Sequence, residues 1–291
     1  MMKKKDQIAA FIKFGEEASE YGKQYGDENL NDFYPEHKFR LKIFLDLLHL
    51  IKPNKILDVG CGSGQPLLSI LKNGFNANGF DFSSEMVEQS QKLLTENGFD
   101  PNKVSKNNME DIQGIENASV DCIVGLGSLY YSRNFNKTMK DVANILPNGG
   151  NLIFSLRNDL FSLFSQNKYS LSFLLEKMIP FQNFTPKLKN EIENFYSIRY
   201  PDQSFEKKFN TVDDKKIYSL SHNPLTVENE VLKPVGLKLE HIYYYHFHSL
   251  PPVFEHTNTL EFRQQSVLLE NPTDWRGAFM SSSFVVHATK C

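Results

Sequence analysis

Apolar residues recur along the first half of the chain in two alternating patterns. Short apolar runs predict buried strands within 56–59, 76–82, 104–111, 119–126 and 151–156. Between these runs, apolar residues spaced three or four apart predict helices over 39–51, 67–73, 85–97 and 138–146. Strands that alternate with helices form parallel sheets covered by helices on both faces. The pattern therefore predicts an α/β fold.

The chain departs from this alternation after residue 157. Residues 158–222, which we call the cap segment, are rich in Phe and Tyr and nearly balanced in charge. A structureless loop of this length is unusual in a compact domain, so we expect a small, mainly helical unit. Thr226 is then expected to cap the last helix, whose apolar face would carry Val227, Val231 and Leu232. Two further strands are predicted over 237–249 and 278–288.

The first predicted strand leads into a helix through a glycine-rich stretch. Gly60, Gly62 and Gly64 define what we call the glycine turn, residues 60–64, where glycine allows a tight turn and lets backbone N–H groups approach a ligand. Dinucleotide-binding enzymes use a similar turn, but Gln65 stands where they have a small residue. Asp58 lies just before the glycines, and its carboxylate suits a cation better than a pyrophosphate.

This stretch resembles motif I of class I S-adenosylmethionine-dependent methyltransferases. The turn at 146–150, Leu-Pro-Asn-Gly-Gly before an apolar strand, is a further mark, so the resemblance covers about residues 40–157. It implies a three-layer sandwich around a seven-stranded, mostly parallel sheet with an antiparallel last strand. The core would comprise residues 1–157 and 223–291, with N-terminal lid helices, and the cap segment would cover the acceptor site.

The resemblance also implies a cofactor site. Asp81 ends the second strand about 20 residues after Gly60, the spacing expected of an acid that binds a ribose diol. The resemblance places the remaining contacts to S-adenosyl-L-methionine in the turn and in the loops after successive strands. The residues concerned are Cys61, as a small filler, Phe82 and Ser83 beside Asp81, Asn108 and Met109 at the adenine, Gly125 and Leu126 at the methionine ammonium, and Tyr21 or Tyr25 in the lid.

Methyl transfer requires an aligned acceptor and, for a hydroxyl, a group that removes its proton. Tyr130 and Tyr131 follow the fourth strand and are expected to line the acceptor pocket. His222, His246 and His248 are the candidate general bases, although each is also readily explained as a structural histidine. The expected activity is O- or N-methylation of a small molecule, such as a sugar or a natural-product intermediate. The alternatives are a non-catalytic S-adenosylmethionine-binding regulatory protein and a nicotinamide-dependent reductase.

The composition limits the kinds of partner that we expect for this protein. The net charge of −3 gives no reason to expect nucleic acid, and no run of about 20 apolar residues could span a membrane. The three cysteines are odd in number, which suits a reducing compartment, and no cysteine or histidine spacing suits a metal. We therefore expect a cytoplasmic protein without a metal, acting on a small molecule, either as a monomer or as a homodimer.

Overall fold

A single mixed sheet organises the protein. The computed structural model describes residues 29–199 and 219–291. The strands are β1 (Ile56–Val59), β2 (Ala77–Asp81), β3 (Val104–Lys106), β4 (Cys122–Gly125), β5 (Asn151–Asn158), β6 (Ser221–His222), β7 (Leu237–Phe247) and β8 (Ser281–Lys290). Their order is β3-β2-β1-β4-β5-β8-β7, with β6 beside β5. Pairs among β1 to β6 are parallel, whereas β8 is antiparallel to both of its neighbours.

Helices cover both faces of the sheet. They are α1 (Glu36–Ile51), α2 (Gln65–Lys72), α3 (Ser84–Glu96), α4 (Phe135–Ile145), α5 (Phe161–Ser165), α6 (Lys168–Phe173), α7 (Pro186–Arg199), α8 (Thr259–Val267) and α9 (Gly277–Met280). Apolar side chains of α1, α2 and α3 form one core with the sheet, and those of α4 and of residues 227–235 form the other. The predicted three-layer α/β sandwich with an antiparallel last strand is therefore confirmed.

The sheet has one short strand more than the seven that were expected. β4 ends at Gly125 opposite Phe154, so the final residues of β5 have a free edge. Ser221 and His222 fill this edge by pairing with Arg157 and Asn158. A two-residue strand formed with such a distant segment carries no periodicity of its own, which is why the apolar pattern does not predict it.

The prediction of a regular last helix is wrong in detail. Residues Glu228–Leu232 form a π-helical turn and Lys233–Val235 a 3-10 turn. Pro234 lacks an amide hydrogen, and its ring would clash with the carbonyl four residues earlier in a regular α-helix. Thr226 does not cap this segment, because its buried hydroxyl oxygen has no hydrogen-bond partner among the described residues. Val231 and Leu232 nevertheless pack into the core as expected.

The cap segment is mainly helical where the structure describes it. It begins with α5, α6 and a π-helical turn at Leu174–Met178, and it continues through α7. Residues 200–218 of the segment, and Tyr21 and Tyr25 of the expected lid, lie outside the described residues. The division into core and cap therefore stays a prediction. None of the helices in the described ranges is long and apolar enough to cross a membrane.

The tight packing of the glycine turn generates a stability prediction. A Cβ atom on Gly64 would lie 2.2 Å from Ser90 Oγ, and the φ of 86° is already unfavourable for an L-residue. Gly64→Ala should therefore lower the free energy of unfolding by about 2–4 kcal/mol, the sum of backbone strain and overpacking. Gly74 has a similar φ of 83°, but a Cβ atom there would meet no described atom within 4 Å. Gly74→Ala, measured in the same denaturant titration, should cost only about 1 kcal/mol.

Equal losses in the two variants would contradict this account, because they would show that the Ser90 contact adds nothing to the backbone strain.

Candidate functional site

The glycine turn lies at the carboxyl edge of the sheet, where β1 ends. Gly60 N and Cys61 N both donate to Phe80 O, at 2.9 and 3.0 Å, and these bonds tie the turn to β2. All three glycines have positive φ, at 73°, 55° and 86°. A carboxyl edge beside a strand-order reversal is where α/β sheets bind ligands, and here β1 lies between β2 and β4.

The three glycines serve different purposes. A Cβ atom on Gly60 would lie 2.5 Å from Ser128 Cβ, and one on Gly64 would collide with Ser90. Both positions therefore require glycine for packing inside the protein. A Cβ atom on Gly62 would meet nothing of the described chain within 4 Å. Gly62 is thus the glycine that faces open space, as expected of backbone that a ligand approaches.

Cys61 fills space beneath the turn. Its side chain is buried, and the contact is close enough that a Cβ atom on Gly79 would lie 3.0 Å from Cys61 Cβ. Burial raises the pKa of the thiol well above its ordinary value, and the charges of Asp58 and Asp81 act in the same direction. Both observations fit the expected role of a small filler, because a thiol in this environment is a poor nucleophile.

Asp58 is a buried carboxylate without a hydrogen-bond partner in the part of the chain that the structure describes. Its side chain is 1% exposed, and neither oxygen has a donor there. Burial raises the pKa of this carboxyl to about 7; the charge of Asp81 acts in the same direction and that of Arg40 opposes both. A buried charge normally requires a partner. Asp58 can therefore accept a cation or an N–H donor from a bound molecule.

Arg40 is the residue at this site that sequence reasoning missed. It lies in α1, is 2% exposed, and binds His37 Nδ1 through Nη2 at 2.8 Å. A Cβ atom on Gly127 would lie 2.3 Å from Arg40 Nη1, so the guanidinium rests on the backbone after β4. One signal was available: Glu36 and Arg40 continue the apolar stripe of α1 at helical spacing, which indicates charged residues on a buried face.

Asp81 links the glycine turn to the start of α3 through hydrogen bonds to the backbone. Its two carboxylate oxygens accept from Gly62 N and Ser83 N, each at 3.0 Å. Ser83 caps α3, because its buried hydroxyl accepts from Met86 N at 3.3 Å. Each carboxylate oxygen can accept a second hydrogen bond. Asp81 can therefore bind a diol while it keeps both backbone contacts, with Phe82 half-buried beside it.

The residues expected near adenine form a turn after β3. Asn108 is exposed, and its side-chain oxygen accepts from Glu110 N at 3.0 Å. Met109 is half-buried and packs against the core. The turn is held next to the second strand, because Asn107 N donates to Asp81 O at 3.0 Å. The structure thus brings Asn108 and Met109 to the same edge as Asp81.

The backbone after β4 contributes the other wall of the site. Gly125 and Leu126 are buried, and Gly127 N is 3.1 Å from Gly125 O. Gly127 N also donates to Ser155 Oγ at 2.8 Å, which fixes this loop against β5. Ser128 Oγ donates to Val59 O, so the loop also contacts the last residue of β1. The expected backbone residues therefore lie between the glycine turn and Arg40.

Tyr130 and Tyr131 lie next to Arg157 at the ends of β4 and β5. Their ring centroids are 4.5 Å apart, and the guanidinium carbon of Arg157 lies 5.3 and 6.0 Å from the two rings. Tyr130 is buried and Tyr131 half-buried. The three side chains form a compact group with a positive charge at the carboxyl edge, on the side of β4 away from Asp81.

His222 lies at this same edge, at the end of β6. Its ring is 4.5 Å from that of Phe135, and its buried Nδ1 has no hydrogen-bond partner within the described ranges. Burial lowers the pKa of His222 to about 4, and the charge of Asp159 only partly opposes this effect. Leu220 N donates to Tyr130 O at 2.9 Å, which links the strand of His222 to the tyrosine pair. His222 is therefore neutral at physiological pH.

His246 has a different environment. It lies near the end of β7, where Nδ1 forms an ion pair with the carboxylate of Glu36 in α1. Burial opposes the charged imidazole, but the carboxylates of Glu36, Glu270 and Glu255 together raise the pKa of His246 above its ordinary value. A protonated histidine is a donor rather than a base. His246 is thus at the expected edge but is not poised to remove a proton.

The described residues contain no group of three or more His, Cys, Asp or Glu side chains that could hold a metal ion. The charged side chains at the carboxyl edge match the groups of S-adenosylmethionine, which has an ammonium, a carboxylate and a ribose diol but no phosphate. Asp58 offers an anion that lacks a donor in the described chain, Arg40 a cation and Asp81 two acceptor oxygens within one edge of the sheet. The chemistry of this set fits that cofactor.

Known proteins support this interpretation. A family model described as a methyltransferase domain matches residues 52–220, more than half of the chain. A ubiquinone biosynthesis O-methyltransferase from Cronobacter sakazakii is 23% identical over 198 residues, which is 67% of this chain and 77% of that protein. The tRNA N(3)-methylcytidine methyltransferase trm140 of Schizosaccharomyces pombe is 25% identical over 146 residues, 46% of this chain and 48% of that protein. The chain spans about half the length of most curated relatives it matches, between 44% and 52% of four of them.

The fold is shared with solved structures. An S-adenosylmethionine-dependent methyltransferase from Thermotoga maritima aligns with a TM-score of 0.55 at 16% identity, over 96% of this chain and 98% of that one. At this identity the likeness supports the fold alone, whereas the family model covers the glycine turn, Asp81 and the loop after β4. The resemblance noted from motif I is confirmed: the chain belongs to the family of S-adenosylmethionine-dependent methyltransferases.

Proposed function

We propose that the protein transfers a methyl group from S-adenosylmethionine to an oxygen or nitrogen atom of a small molecule, such as a sugar or a natural-product intermediate. The observation that carries the proposal is the buried Asp58 carboxylate, which has no donor among the residues that the structure describes and lies in β1 just before the glycine turn. A cationic cofactor supplies the partner that this carboxylate lacks.

Each part of the cofactor has a counterpart on the chain. Asp58 would bind the ammonium, and Arg40 would bind the carboxylate through charge-assisted hydrogen bonds. Asp81 would accept two bonds from the ribose diol, and Met109 would provide an apolar surface for adenine, with Asn108 beside it. Gly125 and Leu126 contribute backbone to the same pocket.

The bound cofactor supplies a methyl group activated by its sulfonium, so the chain itself has to orient the acceptor and accept its proton. Tyr130 and Tyr131 would hold the acceptor beside the loop after β4, where the methionine end of the cofactor is proposed to lie. His222 is neutral, and its Nδ1 has no partner in the described chain, so it can accept the proton of an acceptor hydroxyl. His246 is charged, whereas His222 and His248 are both neutral. Of these two, we assign the role to His222, because its strand is linked to the tyrosine pair by the bond from Leu220 N to Tyr130 O.

The acceptor side also suggests what the acceptor carries. Arg157 has aromatic contacts with Tyr130 and Tyr131, and within the described residues it forms no ion pair with a carboxylate. Such a cation favours an acceptor with an anionic or strongly polar group. The relatives differ in this respect, because one is named for ubiquinone biosynthesis and another for tRNA. The net charge of −3 supports a small acceptor rather than nucleic acid.

The cap segment supports a compact acceptor as well. Its first helix, α5, packs against α9 next to the acceptor side, and Phe161 contacts His248 with ring centroids 4.7 Å apart. We propose that this segment covers the acceptor and excludes water during transfer.

The pKa of Asp58 makes cofactor binding pH-dependent. Ionised Asp58 binds the ammonium, so the affinity for S-adenosylhomocysteine should increase as the pH rises through about 7. Asp58→Asn should weaken binding by about 1.5–3 kcal/mol and abolish this increase. Because the raised pKa means that ionised Asp58 destabilises the free protein, the variant should melt no lower than the wild type at alkaline pH.

Calorimetric titrations with S-adenosylhomocysteine over a pH series test this expectation. Unchanged affinity in Asp58→Asn would show that the ammonium binds elsewhere. Binding of NADH in place of S-adenosylhomocysteine would instead favour the reductase alternative.

Asp81 provides a second test of the cofactor site. Asp81→Ala should weaken binding of S-adenosylhomocysteine by about 1–3 kcal/mol, because two hydrogen bonds to the ribose are lost. Asp121 is a matched control: it also accepts from backbone N–H groups, those of Asn54 and Lys55 at 2.8 and 2.7 Å, but at the opposite edge of the sheet. Asp121→Ala should lower stability without changing affinity. If both variants bind like the wild type, Asp81 is not a cofactor residue.

Turnover distinguishes the acceptor classes. With methyl-labelled S-adenosylmethionine, label should enter the small-molecule fraction of a cell extract and not purified tRNA. His222→Asn should reduce the rate by about a hundredfold or more, the usual contribution of a general base, while S-adenosylhomocysteine affinity is retained. His241→Asn, at an exposed histidine of β7, is the control and should leave the rate unchanged.

Labelled tRNA would contradict the proposed acceptor class, and full activity of His222→Asn would contradict its role. Retained cofactor binding without transfer to any fraction would favour the non-catalytic alternative.

A further inference from the structure

The N-terminal end of α1 carries a group of charged side chains that the proposed reaction does not use. Glu36, the first residue of the helix, forms an ion pair through Oε2 with His246 Nδ1, and its other oxygen lies 3.7 Å from His37 Nε2. His246 belongs to β7, at the far end of the sheet from the cofactor-binding strands. The ion pair therefore joins the start of α1 to a distant strand.

Aromatic rings hold His246 in place. Its ring stacks between those of Tyr34 and His248, with centroids 4.8 and 4.7 Å away. Tyr34 hydroxyl donates to Glu270 Oε1 at 2.5 Å, and the same oxygen accepts from Phe247 N at 2.8 Å. The backbone of His246 has a φ of 61°, which is uncommon for a residue other than glycine or asparagine. The surroundings thus fix the imidazole against Glu36.

The same helix connects this ion pair to the cofactor site. Arg40 follows Glu36 by one helical turn, so the two side chains project from the same face of α1. Arg40 Nη2 contacts His37 Nδ1 at 2.8 Å, and its guanidinium rests on Gly127. A movement of the first turn of α1 would therefore displace Arg40 relative to the loop after β4.

We propose that Glu36 and His246 are positioning residues for the cofactor, which act by holding the first turn of α1 so that Arg40 lies at the site, and that cofactor affinity therefore depends on the protonation of His246. This inference rests on the proposed function, because it requires the cofactor to bind beside Arg40. It assigns Glu36 and His246 no direct contact with cofactor or acceptor.

The sign of the pH dependence follows from the groups that face His246. Burial opposes its charge and Glu270 and Glu255 favour it, but Glu36 makes the largest favourable contribution, so its pKa is raised. Burial also opposes the charge of Glu36, yet His246, His37 and Arg40 together hold the pKa of that carboxyl far below its usual range. Burial lowers the pKa of His248 well below its ordinary value, so its ring is neutral, and the Tyr34 hydroxyl stays protonated because burial raises its pKa. The ion pair is intact below the raised pKa of His246 and is lost as the pH rises through it.

The experiment measures the dissociation constant of S-adenosylhomocysteine by calorimetry between about pH 6 and pH 10. In the wild-type protein the affinity should decline at alkaline pH, after its rise through about pH 7. Glu36→Gln should weaken binding about tenfold at neutral pH and leave only the alkaline decline that deprotonation of the ligand's own ammonium causes. Asp46→Asn is the matched control, because it removes an exposed ion pair with Lys42 from the same helix and should leave both affinity and pH profile unchanged.

A thermodynamic cycle tests whether the effect passes through Arg40. In an Arg40→Met background, Glu36→Gln should cause no further loss of affinity, because the residue that the ion pair positions is already absent. His246→Asn removes the other partner of the ion pair, and asparagine is chosen because it accepts the left-handed backbone at this position. The loss of S-adenosylhomocysteine affinity should match that of Glu36→Gln. Thermal melts establish that each variant is folded.

The inference is overturned if Glu36→Gln and His246→Asn bind S-adenosylhomocysteine like the wild type, or if Glu36→Gln costs as much in the Arg40→Met background as in the wild type. The latter result would assign the ion pair a structural role only. Should the variants fail to fold, a wild-type affinity that stays constant at alkaline pH overturns it as well. Failure of the wild-type protein to bind S-adenosylhomocysteine would instead refute the proposed function, so the two failures are distinguishable.

Discussion

The rest of the site is arranged around one electrostatic constraint, the negative charge of Asp58 inside the sheet. A carboxylate in the middle of parallel strands has no backbone donors to spare, since those of its neighbours pair with one another. Arg40 is a source of positive charge that lowers the pKa which burial raises. In the free protein the Asp58 carboxyl therefore has a pKa of about 7. Binding of a cation next to it favours the ionised form.

The carboxyl edge of the sheet is divided by function. Asp81 and the turn with Met109 lie on the side of β2 and β3, and the glycine turn and Arg40 lie at the centre. The tyrosine pair, Arg157 and His222 lie on the side of β5 and β6. This order follows from the topology, because a reversal of strand order opens a crevice between β1 and β4 at the centre of the edge.

Three histidines near this edge show how strongly environment determines chemistry. Burial keeps His222 neutral, with a pKa of about 4, and it does the same for His248, whose ring is enclosed by Phe161 and Phe262. His246 is charged because a carboxylate lies against its Nδ1. Residue type alone made the three histidines equivalent candidates for a base, whereas their neighbours leave His222 and His248 neutral and make His246 half of an ion pair.

The sequence by itself determined the elements whose signals are local. The strand at 56–59, the glycine turn and Asp81 at the end of β2 are each encoded within a few residues, and the structure has all of them. Their grouping at one edge could also be predicted, since parallel strands end at the same edge. The cofactor class followed because the motif combines glycines with an acidic residue rather than with a phosphate-binding pattern.

Only the tertiary structure decided which side chains act on this framework from a distance. Tyr34 and Glu270 are 236 positions apart, and Arg40 meets Gly127 through the packing of α1 on the sheet. The pairing of β6 with the end of β5 and the broken helix after Thr226 likewise depend on a free strand edge and on Pro234 in its packed setting. Periodicity records which face of an element is buried but not what that face meets, so protonation states and ion pairs between distant segments emerge only when the chain is folded.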